Sequence, residues 1–455
     1  MSISPIDDRY KKYLNGFEKY FSEKALMKYR LMVEIEYLKF LSKYFDGKVV
    51  RHLSNNEVIL LDKLYSNLDE ENFKAIKKIE ERIGHDVKAV ELFLRDKIMY
   101  TSLKDLIPYI HFSLTSEDVN NISFSLLLRD FTYNMYIPLL KKLMNKLYNI
   151  IIENRSTLML ARTHGQPASP TTFGKEMAVY LYRIINIFKD ISEYKFPGKL
   201  NGSVGNYNSF HIAYPDIDWI SFSIDFIESL ELKPILITTQ ILPYDFILKY
   251  FYNVMLLNSI LRNLCRDLWL YMSYQYIGLK TRRDEIGSSV MPHKVNPVFF
   301  ETAEGSFEIA NSLIQLLINE LPLSRLQRDL SDSIIRRIFG EIFSYTFIGI
   351  LKVIDGLDRL IVFKENMVKD LYSHGEVLSE AFQTVLRKEG FLNAYDMIYR
   401  YLRQRQISMN EIKNAIEKME VEDKIKEKLR NIRLEKFIGL AIKLTDIVIK
   451  EYANI

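Results

Sequence analysis

Four polar stretches carry the residue types that could do chemistry in this chain. The first, Gly287-Ser288-Ser289-Val290-Met291-Pro292-His293-Lys294-Val295-Asn296-Pro297, packs hydroxyls, an imidazole, a cation and an amide into eleven residues. The second is His111-Phe112-Ser113-Leu114-Thr115-Ser116-Glu117-Asp118, and the third is Arg162-Thr163-His164-Gly165-Gln166-Pro167-Ala168-Ser169-Pro170. The fourth runs from Arg325 to Ser333, with Arg336 and Arg337 close behind. Polar loops held by a rigid scaffold are where chemistry tends to sit. Thr115 with Asp118 has capping-box spacing. Ser169-Pro170 and Asn296-Pro297 fit an N-cap followed by proline at the first helical position. Capping alone is the plain explanation for any one of them. Three such segments, each opening a helix, would present free N–H groups and positive dipole ends to carboxylates or phosphate. Arginine forks in the fourth stretch suit the same anions, although a solvated helix start would also explain them.

Of seven histidines, His111, His164 and His293 fall inside the first three segments. A single histidine is more often structural than catalytic. Near its ordinary pKa of about 6.5 it is also the usual proton shuttle. No helical His-x-x-x-His pair, Cys/His spacing, phosphate loop or dinucleotide fingerprint occurs, so neither metal nor cofactor is expected. These residues outline acid–base chemistry on a polyanionic small molecule.

The elements that must position them read as long amphipathic helices. Leu140, Met144, Leu147 and Ile151 step by four, three, four. Val254, Leu257, Leu261, Leu264 and Leu268 continue that alternation, as do Phe307, Ala310, Ile314, Leu317 and Leu321. Phe343, Phe347, Ile350, Ile354, Leu357 and Ile361 form a fourth seam. Such spacing puts one apolar stripe on each helix and suits an all-α bundle. Phe251, Met255, Leu256, Ile260 and Trp269 flank the second seam, which suggests a helix that packs on more than one side, against other subunits. Shorter helices are expected at both ends, including Ile412–Met419 and Ile432–Ile449. Phe196–Asp216, with Gly198, Gly202 and Gly205, reads as turns or a small hairpin. The organisation is therefore an N-terminal helical domain over 1–110, a central long-helix bundle over 111–365, and a C-terminal helical domain over 366–455.

The 455 residues are 48% apolar, with only 17 Gly and 12 Pro, which favours long helices over tight turns. The net charge of +4 is dispersed, so no nucleic-acid footprint stands out. Cys265 is the only cysteine, which fits a reducing compartment. No apolar core follows Met1 as a signal peptide requires, and apolar runs stop short of a membrane span. A cytoplasmic protein is expected.

Gly287–Pro297 closely resembles the signature loop of the fumarase/aspartase superfamily, and the chain is similar over almost its whole length to the adenylosuccinate lyase family within it. Supporting segments are Ser4–Tyr10, His85–Glu91, Thr115–Asn121, Arg162–Pro167, Asn201–Tyr207 and Arg325–Ser333. The resemblance implies an all-α, three-domain homotetramer with sites shared between subunits. It implies β-elimination of fumarate from adenylosuccinate to give AMP, and from the succinylated carboxamide ribotide SAICAR to give AICAR. It makes His164 the general acid, Ser288 the general base and His85 an assisting group. Thr115 and Ser116 become carboxylate contacts. Arg9, Tyr10, Arg328, Ser333 and Arg337 become nucleotide contacts, with Asp86, Gln240, Lys294 and Asn296 completing the substrate site. Residue chemistry alone favours His293 as base, and the resemblance leaves it without a role. Gly84, Leu242 and Tyr244 depart from the family pattern. The alternatives are another fumarate-releasing lyase, such as one acting on argininosuccinate, or an inactive helical scaffold.

Overall fold

A computed structural model describes residues 3–282, 290–291, 293–402 and 406–455. Ser288, with Gly287, Ser289 and Pro292, therefore lies outside the described residues. The architecture is helical. The helices that matter for the site are α1 (Glu23–Tyr44), α2 (Glu70–Ile83), α3 (Asp86–Ile98), α4 (Ser116–Phe131), α5 (Ile137–Glu153), α6 (Phe173–Ser192), α7 (Asp245–Ser273), α8 (Val298–Glu320), α9 (Phe339–Asp358), α10 (Lys364–Tyr372) and α11 (Ser379–Lys388). Strand is confined to three two-stranded sheets among the described residues: β1 (Leu158–Thr163) against β2 (Gln166–Thr172), β3 (Pro197–Gly198) against β4 (Lys233–Pro234), and β5 (Ile277–Leu279) against β6 (Leu360–Val362).

The seams read from spacing are buried. Leu140, Leu147, Val254, Leu261, Phe307, Ile314 and Ile350 are fully enclosed, and Leu357 retains only 5% exposure. The 29-residue α7 is about 43 Å long, and its seam is buried from Val254 to Leu268. Ile361 falls beyond α9, in strand β6. Leu256 and Trp269 on α7 are 48% and 44% exposed, so this helix is apolar on a face its own chain leaves open.

Contacts divide the chain into two compact units, each drawn from three stretches: 1–139, 189–258 and 306–348 in the first, and 140–188, 259–305 and 349–455 in the second. In the first unit, rings of Phe17, Phe21, Phe131, Phe343 and Phe347 meet at centroid distances of 4.7–5.8 Å. Buried Asn258 on α7 donates to Asn311 on α8 at 3.0 Å and to Thr346 on α9 at 3.1 Å. In the second unit, Leu160, Leu371, Phe382, Ile398, Ile416 and Leu429 anchor a separate apolar core.

Two local expectations fail, and a third holds in one of its two forms. Ser169 and Pro170 do not cap a helix. They belong to β2, and α6 starts at Phe173. Phe196–Asp216 holds the expected turns, at 203–204 and 215–216, and not the hairpin: β3 pairs in parallel with the distant β4, and Asn208–Ala213 is a short helix. The expected helix Ile432–Ile449 is broken, because Gly439 has φ +54°, and the regular helix begins at Ala441. The Asn296-Pro297 start is shifted by one residue. The Pro297 carbonyl takes the first helical N–H, from Glu301, which makes Pro297 the cap position.

Candidate active site

A cavity of about 470 Å³ opens in the first unit, formed where the ends of α2, α3 and α4 meet the 236–243 and 324–338 segments. Eight residues expected at the site line it: His85, Asp86, Thr115, Ser116, Gln240, Arg328, Ser333 and Arg337. Four guanidinium groups, those of Arg30, Arg328, Arg336 and Arg337, face two carboxylates, Glu80 and Asp86. The lining thus carries two positive charges in excess, which suits a polyanion.

Local sequence explains how the histidine arrives there. Gly84 ends α2 with φ +70°, and its N–H donates to the Glu80 carbonyl at 2.7 Å. A left-handed residue at this point is where glycine is favoured. It lets α3 begin two residues later, at Asp86. His85 is the N-cap of α3, its Nδ1 accepting the Lys88 N–H at 3.2 Å. An accepting Nδ1 leaves the ring proton on Nε2, which lies 3.4 Å from Ser116 Oγ. His85 therefore presents a donor to the cavity.

Thr115 and Ser116 open α4. The Thr115 N–H donates to Asp118 Oδ2 at 2.9 Å in the expected capping box. Asp118 is itself fully buried, paired with Lys199 at 2.8 Å and accepting the Asn201 N–H at 3.1 Å. The hydroxyls of the first turn are thereby fixed from beneath. Gln240 is held by its Nε2 donating to the Ser203 carbonyl at 2.9 Å, and its N–H reaches the Gln327 carbonyl at 3.3 Å.

Behind the cavity wall lies an ionic network that sequence reasoning missed. Glu117 on α4 accepts from Arg336 through both oxygens, at 2.8 and 3.0 Å, and from Asn120 at 2.7 Å. Arg328 pairs with the same carboxylate at 3.1 Å. Burial pushes the Glu117 carboxyl up, but Arg336 and Arg328 override it and hold it at about 2. Arg336 also lies 4.9 Å over the Phe124 ring and donates to Tyr244 Oη at 3.2 Å. Tyr244 donates in turn to buried Asp332. On the other side, buried Arg30 pairs with Asp86 at 2.6 Å and donates to Asn120 Oδ1 at 2.9 Å. Burial raises the Asp86 carboxyl, but Arg30 and the Val87 N–H together override it, and it ends below the usual carboxylate range. One signal for Arg30 and Glu34 was available. Both sit on the apolar face of α1, among Met27, Leu31 and Leu38, where an unpaired charge would be costly.

The remaining expected residues are not in this lining. Arg9 is exposed and Tyr10 caps a 3-10 turn, Lys11–Tyr13. His164, Lys294 and Asn296 belong to the second unit. His164 and Gly165 form the two-residue turn of the β1–β2 hairpin, with φ of +53° and +74°. Positive φ at both positions is the requirement of a type I′ turn. His164 is exposed there, as are His293 and Lys294. His111 does not line the cavity either. It is bound at 2.6 Å to fully buried Glu34, and Glu34 keeps the imidazole above its ordinary pKa against the pull of burial.

A family model described as lyase matches residues 8–308, and one described as adenylosuccinate lyase C-terminal matches residues 324–438. The chain belongs to the adenylosuccinate lyase family. Adenylosuccinate lyase of Buchnera aphidicola subsp. Schizaphis graminum is 39% identical over 446 residues, covering 98% of each chain. That of Legionella pneumophila strain Corby is 39% identical over 444 residues, with 97% of each covered. That of Escherichia coli K12 is 36% identical over 446 residues, with 98% of each covered. Among solved structures, a 3-carboxy-cis,cis-muconate lactonizing enzyme from Pseudomonas putida superposes with a TM-score of 0.76 at 17% identity, covering 98% of this chain and 99% of that one. A fumarate lyase from Mesorhizobium sp. BNC1 gives 0.73 at 16% identity, with 97% of each covered. At these identities the likeness establishes the fold. The adenylosuccinate lyase fold is thus the frame in which the cavity and the His164 hairpin are set. Among the described residues no helix is long and apolar enough to cross a membrane, and no group of three or more metal-ligating side chains is found.

Proposed function

We propose that the chain catalyses β-elimination of fumarate from adenylosuccinate to give AMP, and performs the same cleavage on SAICAR to give AICAR. The observation that carries this reading is the arginine-lined cavity, which gathers eight family-implied site residues around an excess of positive charge. The nucleotide phosphate pairs with Arg328 and Arg337 and accepts from Ser333. Arginine forks match phosphate oxygens bidentately. A succinyl carboxylate lies at the N-terminus of α4, against Thr115, Ser116 and the Nε2–H of His85. Charge grows on that carboxylate as the carbanion forms, so fixed donors there favour the transition state over the ground state.

Ser288 removes the proton from the carbon beside the carboxylate, the C–N bond breaks, and His164 protonates the departing nitrogen. Lys294 and the helix start after Asn296 stabilise negative charge at the Ser288 oxygen. Asp86 holds Arg30, while Gln240, Arg9 and Tyr10 complete the substrate contacts. The exposed turn bearing His164 and the open apolar residues of α7 favour a homotetramer whose sites are shared between subunits. The segments 1–110, 111–365 and 366–455 are its three domains, and the cytoplasm is its location, in keeping with a single buried cysteine.

The test is fumarate release from purified protein with adenylosuccinate, SAICAR and argininosuccinate in parallel. Release from the two purine substrates and not from argininosuccinate is expected. Release from argininosuccinate alone, or from none, refutes the reading.

A further inference from the structure

The hairpin that carries His164 is poorly equipped to hold itself. Two-stranded ribbons are marginal in water. Here β2 contains Pro167 and Pro170, which cannot donate to the ladder, and the register shifts between Leu160 and Arg162. His164 sits at the tip, and its ring makes no hydrogen bond among the described residues. Its position is therefore set by whatever holds the strands.

Both strands are held from α10 and α11. Arg162, two residues and at most about 7 Å of chain from His164, has its guanidinium engaged by three side chains. Its Nη2 pairs with Asp370 of α10 at 2.7 Å, its Nη1 donates to Tyr276 Oη at 2.7 Å, and its plane lies 4.5 Å from the Tyr274 ring centroid. Tyr276 donates to the same Asp370 oxygen, closing a triangle. Asp370 is backed by His374, whose Nε2 lies 3.7 Å away and whose Nδ1 meets Glu376 at 2.7 Å. Glu376 accepts the Ile407 N–H at 2.9 Å. On the other strand, Ser169 Oγ donates to Glu380 of α11. The Arg162 and Asp370 side chains are only 18% and 26% exposed, so this pair is screened less than a surface pair.

We propose that Arg162 and Asp370 are positioning residues that set the reach of His164 toward the departing nitrogen, so that the α10 segment governs the proton-transfer step without touching substrate. This rests on the general-acid reading of His164 given above. The guanidinium clamps the base of the turn, and among the described residues the turn has no other side-chain anchor at its tip. Misplacing a reacting group by about 1 Å can lower a rate on the order of 100-fold.

The test compares Asp370→Asn, Arg162→Lys and Tyr276→Phe with the wild type, and repeats Asp370→Asn in a His164→Ala background under single-turnover conditions. For Asp370→Asn, kcat should fall roughly 10- to 100-fold while KM and the Kd for AMP stay within about 3-fold. Arg162→Lys keeps the charge and loses the fork, so an intermediate loss is expected. In the His164→Ala background, Asp370→Asn should cause no further loss, because the group it positions is gone. Wild-type kcat in Asp370→Asn, a matching loss of AMP affinity, or an equal further loss in the His164→Ala background each overturns the proposal. Should the wild type release no fumarate, or His164→Ala remain fully active, it is the proposed function that fails instead.

Discussion

Glu117→Gln isolates the charge that organises the cavity wall. Glutamine keeps the shape of the side chain and removes the anion that faces Arg336 at 2.8 Å and Arg328 at 3.1 Å. Arg336 is then left with Asp332 at 3.8 Å as its nearest carboxylate. Two routes give the magnitude. Removing one partner of a buried pair costs about 3–5 kcal/mol. A carboxyl held at about 2 in place of 4.5 corresponds to roughly 3 kcal/mol of stabilisation at neutral pH. Both point to a melting temperature lower by roughly 3–5 °C at pH 7, since a chain of 455 residues shifts by about 1 °C per kcal/mol. The sign of the pH dependence is also set. A folded-state value below the unfolded one stabilises above pH 4.5 and loses that contribution as pH falls toward 2. Near pH 4 about 1 kcal/mol of it is gone, and near pH 3 about 2 kcal/mol. Denaturant unfolding of wild type and variant at pH 7, 5 and 4 measures this. The gap between them should narrow across that series. An unchanged stability at pH 7, or a gap that widens as pH falls, refutes the assignment of Glu117 as the network's buried anion.

His164→Ala or Ser288→Ala should abolish steady-state turnover, leaving only a slow residual rate read under single-turnover conditions, while the far-ultraviolet circular dichroism of the helical fold is retained; full residual activity in either sinks the acid–base assignment. Arg328→Lys, which keeps a cation and loses the fork, should raise KM roughly 10-fold at nearly constant kcat, from the loss of about 1.5 kcal/mol of charged hydrogen bonding. Gly205→Ala should lower stability by roughly 3 kcal/mol or more, because φ is +81° and a Cβ would stand 2.3 Å from the Thr238 carbonyl oxygen. Gly84→Ala, at φ +70° with nothing within 4 Å of its Cβ, should cost only about 1 kcal/mol. Thermal melts that rank the two the other way would show that close approach is not what Gly205 serves.

The sequence by itself determined what depends on short chain separations. The alternation of three and four along Val254–Leu268 specifies which face of α7 is buried, because helical periodicity is a local property. Thr115 and Asp118 specify the start of α4 for the same reason. The polar stretches could be picked out because they interrupt such patterns. Tertiary structure alone decided the rest. Ser169-Pro170 satisfies the rule for a helix start, yet pairing of Leu158–Thr163 with Gln166–Thr172 places it in a strand. The gathering of His85, Thr115, Gln240 and Arg328 around one cavity, and the pairing of Glu117 with Arg336 across 219 positions, have no local signature. Attraction between such groups is weak in water and becomes strong only once packing has excluded solvent around them. The chain encodes the charges, but which of them become partners is settled when the core closes.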